Sequence, residues 1–232
     1  MKYYKTDSRK ISLREYYNIA SGTSFILPWL LKILGIPLRL TSGIPEPQSF
    51  RDNVVDSGTI PSEILVKLNC GVLELRKLGF DQFWFYTLKN SLMGGVAYGV
   101  QSLHPSHRTI GKIVFVSMKS RQSFVFVLVS ELNDGTILAT TNNKPQFNSP
   151  PGYTVFRRLQ ANAEQLWELH ENNLAELSRN KPPKAIGDFD QVVALEDKSS
   201  QMSFADKVAR GIWVEMAEAE VEVLRAGPSR SR

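Results

Sequence analysis

Cysteine is nearly absent: Cys70 stands alone among 232 residues. An internal disulfide is therefore impossible, and thiol clusters for zinc or iron–sulfur are excluded. That usage fits a reducing compartment, the cytoplasm, best. Phosphate-cradling motifs are also missing. Neither G-x-G-x-x-G nor G-x(4)-G-K-[ST] occurs, and Gly94-Gly95 followed by Gly99 reads as a turn at the start of a strand. No G-x-S-x-G nucleophile elbow is found.

Histidine is scarce. His104 and His107 form His-x-x-His on a turn, but two neutral imidazoles are too few for a typical metal site. His170-Glu171 opens a His-Glu-x-x-His string that fails at Leu174, where the second zinc ligand would stand. No metal and no cofactor are expected. Cys70 lies mid-helix among apolar neighbours, away from the helix N-terminus and the cations that would activate a thiolate, so it reads as a packed thiol.

A long uninterrupted apolar run is lacking as well. The best candidate is "SFILPWLLKILGIPLRL" (24–40), interrupted by Lys32, Pro28 and Pro37. A spanning helix needs about 20 mostly apolar residues, and no small-x-small cleavage site follows to suit a signal peptide. Three readings stay open: a helix docked on the core, a membrane span, or an interfacial anchor. In the last, Phe25, Ile26, Trp29, Leu30 and Ile33 enter the acyl boundary while the basic N-terminal arm meets anionic lipid.

The formal charge of +5 lies at the ends. Residues 1–17 and residues 225–232 each carry a net +3, which leaves the rest of the chain close to neutral. A nucleic-acid-binding domain usually gathers its charge on one folded face. Nucleic acid is therefore not expected as a partner, beyond weak, salt-dependent contact through the tails. An anionic membrane surface, a second copy of the chain or another protein fits better.

What is present is an ordinary globular composition, 42% hydrophobic and 22% charged. Three regions follow: a basic arm with the apolar segment and a Pro-rich linker (1–53), a core domain (54–180), and a linker, helix and basic tail (181–232). Ser12 with Glu15 makes a capping box. Residues 60–78 carry apolar positions at three- and four-residue spacing, with Pro61 before them and Gly79 after. The period then changes to two. Runs at 81–88, 95–103, 109–118, 123–132 and 136–142 predict five strands, and Asn133-Asp134-Gly135 is a hairpin signal. Short links imply antiparallel neighbours. In the fourth run Phe124, Phe126 and Leu128 face one way and Val125, Val127 and Val129 the other, so that strand should be covered on both sides. Asn162 and Gln165 suit a cap for a helix ending near Ser178, and Ser203 with Asp206 for a last one. The expected fold is α+β, an antiparallel meander of about five strands with helices before and after it and a helical C-terminal extension.

Chemistry is harder to read. "VVDSGT" (54–59) resembles the catalytic loop of retroviral-type aspartic proteases, in which two facing aspartates share a proton and activate water. The resemblance covers six residues and implies a carboxylate-dependent hydrolase with Asp56 as catalytic residue, completed by a second copy. The surrounding linker and helix read the same residues as a turn into a helix start. The leading expectation is instead a non-enzymatic binding or scaffolding module. It is peripheral to a membrane, or it encloses a small apolar ligand in a pocket lined by Trp84, Tyr86 and Tyr98.

Overall fold

The computed structural model describes residues 1–19, 26–33, 39–89, 96–118 and 121–226. In chain order the elements are β1 (Tyr3–Asp7), α1 (Leu13–Ile19), α2 (Ile26–Ile33), β2 (Arg39–Pro45), α3 (Phe50–Asn53), β3 (Val54–Val55), α4 (Ser62–Lys77), β4 (Gln82–Lys89), β5 (Val96–Leu103), β6 (Ile110–Met118), β7 (Arg121–Glu131), β8 (Ile137–Thr141), β9 (Tyr153–Arg157), α5 (Ala163–Leu177), α6 (Phe189–Ala209), β10 (Trp213–Glu215) and α7 (Glu218–Ala226).

The fold is α+β. Strands β4 to β8 form an antiparallel meander in chain order, the five runs expected from period two. The sheet is larger than those five strands. The two residues of β3 add antiparallel to β4, and β9 adds to β8 in parallel, giving seven strands in the order β3-β4-β5-β6-β7-β8-β9. A parallel neighbour requires a crossover rather than a tight turn. The proline-rich stretch 142–152 supplies it, and for that reason "YTVFR" does not stand out as a strand in the sequence.

Alternation sends each strand's side chains to two helical layers. On one face Phe85, Val100, Ile113 and Phe126 lie in one cross-strand row and pack against Leu68, Leu75 and Leu166 of α4 and α5. On the other face Ile110, Val129 and Ala139 meet Val192 and Leu195 of α6. Full burial of each such aliphatic side chain stabilises by roughly 1.5–3 kcal/mol. The two-sided cover explains why β7 is apolar on both faces. Helix α4 can approach closely because Gly111 has no side chain. A Cβ there would lie 2.9 Å from both Leu75 and Phe80. Gly79, at φ +96°, ends the helix in the left-handed region that favours glycine.

Helix α5 starts with the capping box expected at Asn162 and Gln165, and Ser12 and Glu15 make the reciprocal pair before α1. The C-terminal helix differs from its expected start at Ser203. It begins at Phe189, where the Asp188 carboxylate accepts from the Gln191 amide at 2.9 Å. Phe204, Val208, Ile212 and Met216 stand at helical spacing but do not form one stripe. Val208 is exposed, and Gly211, at φ +69°, turns the chain so that Ile212 and Met216 are buried beyond the helix.

Residues 41–53 are not a bare linker. They hold most of β2 and all of α3. Strand β1 pairs with β2 on one side and β10 on the other, so a second, three-stranded antiparallel sheet joins the two ends of the chain. This small sheet seats on the C-terminal half of α6. Tyr4 meets Phe204 edge-on at 4.8 Å, and Phe204 lies 5.5 Å from Trp213. Glu15 fastens the arrangement. Its buried carboxylate takes the Arg210 guanidinium at 2.6 and 2.7 Å and the Asn148 amide at 3.0 Å. Burial alone would raise that carboxyl, but Arg210, Asn148 and Ser12 hold it at about 2.

Candidate functional site

The large and small sheets do not close on each other completely. Between them a cavity of about 580 Å³ opens beside β9. Its floor is the α6-side face of the seven-stranded sheet, where Val127, Ala139, Tyr153 and Val155 project. One wall is α6, the second is the small sheet with Ile44 and Trp213, and the third is the crossover 143–150. The crossover is held by the Asn148–Glu15 bond, so the wall and the small sheet share one anchor. A second cavity, of about 900 Å³, adjoins the first. The two share Ile44, Pro45, Pro47, Val127 and Ser200. Its roof is the segment entering α3, fixed to α6 where Asp197 accepts from Ser49 Oγ at 2.8 Å and from the Phe50 amide at 2.6 Å.

The two cavities differ in charge. At the base of the larger one Lys112 of β6 pairs with Glu196 of α6 at 2.6 Å. The other Glu196 carboxylate oxygen, Oε1, is buried and has no partner among the described residues, and neither has the side-chain amide of neighbouring Gln101. The smaller cavity is lined by Lys144, Arg157 and Lys207 and, among the described residues, by no Asp or Glu. Lys207 is buried. Its ammonium donates to the Ser203 carbonyl at 2.9 Å and to Ser203 Oγ at 2.7 Å. It lies 5.0 Å from the Trp213 ring centre and 5.4 Å from that of Phe147. Burial pushes its pKa down from the ordinary lysine value, against the opposing pull of Asp206. Arg157 makes no ion pair among the described residues, and partial burial lowers its pKa as well. Trp213 Nε1, also in this wall, is a buried donor without an acceptor among the described residues.

The aromatic residues expected to line one pocket are divided. Trp84 and Tyr86 do face the α6 side together, but Tyr98 pairs across from Thr87 and belongs to the opposite, α4-side layer. Trp84 stacks near Phe189 at 5.1 Å. Tyr86 lines the larger cavity, packed against Phe50 and laid over Gly99, where a Cβ would come within 2.2 Å of its ring. Of the three, Tyr86 alone is at the cleft. Asp56 stands on an exposed turn and caps it, accepting from the Gly58 amide at 2.8 Å. That geometry is the turn reading of "VVDSGT", with the carboxylate occupied by its own loop.

The histidines take structural places. His104 donates from Nε2 to the Leu78 carbonyl at 3.1 Å and stacks by Trp167 at 4.7 Å, while His107 donates from Nδ1 to the Ile186 carbonyl at 2.9 Å. His170 is fully buried between α5 and the sheet. Its ring nitrogens meet Ser130 Oγ at 2.9 Å and Thr140 Oγ1 at 3.0 Å, and burial lowers its pKa to about 4. Closed off from solvent, this serine and histidine serve as core polar groups rather than a nucleophile and its base. Among the described residues no three of His, Cys, Asp and Glu gather where a metal ion could sit. Cys70, expected to be packed, is exposed on α4.

Among the described residues no helix is long and apolar enough to cross a membrane. Helix α2 packs beside α1, where the Lys32 ammonium donates to the Ile11 carbonyl. Leu30 and Ile33 are exposed and Trp29 is half-buried. The side chains of Phe25 and Ile26 lie outside the described residues. Compared with protein-family models, with curated proteins and with solved structures, the chain matches none.

Sequence reasoning passed over Lys144, Arg157, Lys207 and Trp213. The available signal was the crossover itself. An eleven-residue irregular stretch between paired strands is long for a compact domain, and long loops are where binding residues concentrate.

Proposed function

We propose that this protein is a non-enzymatic binding module whose ligand sits in the cleft between its two sheets. The observation that carries this reading is the pair of adjoining cavities, about 580 and 900 Å³, with buried polar atoms of Glu196 and Trp213 at their walls that have no partner among the described residues. Native proteins pair the great majority of such atoms. Clefts of roughly 300–1,000 Å³ with an apolar floor and a few convergent polar groups are the usual small-molecule sites. Ser200 gives a clean test, because it lines both cavities and is exposed on α6. Phenylnaphthylamine, a neutral apolar fluorophore, should bind the wild type saturably at one site. Ser200→Trp should abolish that binding without lowering the melting temperature. Unchanged binding in the variant sinks the reading.

A second reading rests on a separate observation. Leu13, Tyr17 and Ile19 of α1 and Leu30 and Ile33 of α2 are all exposed, and the arm before them is basic. This supports contact with an anionic membrane surface. The full-length protein should float with anionic liposomes at low salt, and Leu30→Glu with Ile33→Glu should leave it at the bottom of the gradient. Equal flotation of both proteins contradicts it.

A further inference from the structure

We infer that the smaller cavity, beside β9, takes an organic anion: one acidic group facing Arg157 and Lys207, and an apolar or aromatic body against Trp213 and the sheet floor. This deepens the cleft reading and rests on it.

Four observations on different elements converge. Three cations, Lys144 on the crossover, Arg157 on β9 and Lys207 on α6, line one cavity. No carboxylate lines it among the described residues, although the cations elsewhere between α6 and the sheet are paired: Lys112 of β6 with Glu196 at 2.6 Å, and Lys198 of α6 with Glu131 at 2.5 Å. Lys207 is buried with no ion-paired carboxylate among the described residues, which is costly, and an anion from solution lowers that cost. Donors remain unused. The Lys207 ammonium has three N–H groups and gives both of its bonds to Ser203. The Arg157 guanidinium makes no ion pair among the described residues and offers the planar fork that matches a carboxylate or phosphate. The Trp213 indole N–H has no acceptor among the described residues. The floor is apolar, with Val127, Ala139 and Val155 on it and Phe147 opposite, while neutral polar side chains such as Thr141, Gln146 and Ser199 complete the rim. Bare inorganic phosphate would leave most of the cavity unfilled, so the acidic group should carry a body.

The probe is anilinonaphthalene sulfonate, an aromatic anion, titrated against the folded full-length chain beside the neutral phenylnaphthylamine. The sulfonate should bind more tightly than its neutral counterpart, and added salt should weaken it. Arg157→Gln should weaken the sulfonate about tenfold, the loss expected for one charge-assisted contact, and leave phenylnaphthylamine unchanged. Arg157→Lys should restore part of the difference. Arg157 is exposed at the end of a strand, so these variants keep the fold, checked by melting temperature. Displacement then separates two sources of the same chemistry. Palmitate displacing the sulfonate indicates an acid of lipid origin, and phenyl phosphate displacing it indicates a free aromatic metabolite. Displacement by neither overturns the inference. So does equal affinity for the two fluorophores with Arg157→Gln silent, and in that case the cleft reading stands, provided Ser200→Trp still blocks phenylnaphthylamine. If neither fluorophore binds, both fall.

Discussion

The two halves of α6 meet the large sheet with opposite electrostatics. In the first half Glu196 takes Lys112 and Lys198 reaches Glu131, and Val192 and Leu195 fill the space between. In the second half Lys207 faces a hydroxyl and two aromatic rings, with Arg157 and Lys144 across a cavity that holds no acid among the described residues. Both halves carry acids and a lysine, Asp190, Glu196, Asp197 and Lys198 in the first and Asp206 with Lys207 in the second. What sets the cleft apart is contact. Where the helix lies directly on the strands, each charge removed from water has its counter-ion on the facing strand. Where the small sheet and the crossover hold the cleft open, the cations stay unmatched. A folded protein that neutralises one end of a helix and not the other has a place ready for negative charge.

The strongest way to break this comparison is to unpair the matched half. Lys112→Met leaves the Glu196 carboxylate buried without its ammonium and should cost about 3–5 kcal/mol in urea denaturation. Glu15 gives the next effect. Glu15→Gln removes a buried carboxylate held by Arg210 and should cost about 3 kcal/mol. In the wild type the folded carboxyl titrates at about 2, below the ordinary value of 4.5. Its contribution is therefore complete above pH 4.5 and is lost as the pH falls towards 2.

His170 contributes a different window of similar size. Its folded pKa of about 4 lies below the ordinary 6.5. Between those values the unfolded chain binds the proton and the folded one does not, so stability falls as the pH drops from 6.5 to 4. The fall should be about 3 kcal/mol. Denaturation curves of His170→Leu should lack that slope. In the unmatched half the expectation reverses. Lys207→Met removes a cation with no direct ion pair among the described residues and should change stability by no more than about 1 kcal/mol. Arg157→Gln, on the exposed end of β9, should stay within about 0.5 kcal/mol while weakening the anionic fluorophore. A large loss of stability in either variant would mean that these cations are structural after all.

Much of the fold was legible because it follows from local periodicity. Strands β4 to β8, the two faces of β7, the body of α4 and the cap of α5 all depend on patterns within ten or twenty residues. The parallel pairing of β9 and the joining of β1 to β10 are long-range, and no local pattern encodes them. The missed start of α6 has a physical cause. Its buried side includes Glu196, Ser199 and Lys207 beside Val192 and Leu195, so the apolar stripe that marks a helix is interrupted by the very residues that reach the cleft. The site was hidden for the same reason. Trp84, Tyr86 and Tyr98 were chosen because aromatic residues at alternate positions suggest a lining, yet strand pairing puts Tyr98 on the other face. Lys144, Arg157 and Lys207 lie on three separate elements, and only the closure of the chain ends onto α6 brings them to one cavity.

The most direct measurement is a map of backbone amide shifts during titration of the nitrogen-15-labelled full-length chain with anilinonaphthalene sulfonate. The largest shifts should fall on residues 143–157, 199–207 and 213, around the smaller cavity. Shifts gathered instead on α1 and α2, or spread along the exposed face of α4, would contradict the assignment of the cleft as the binding site.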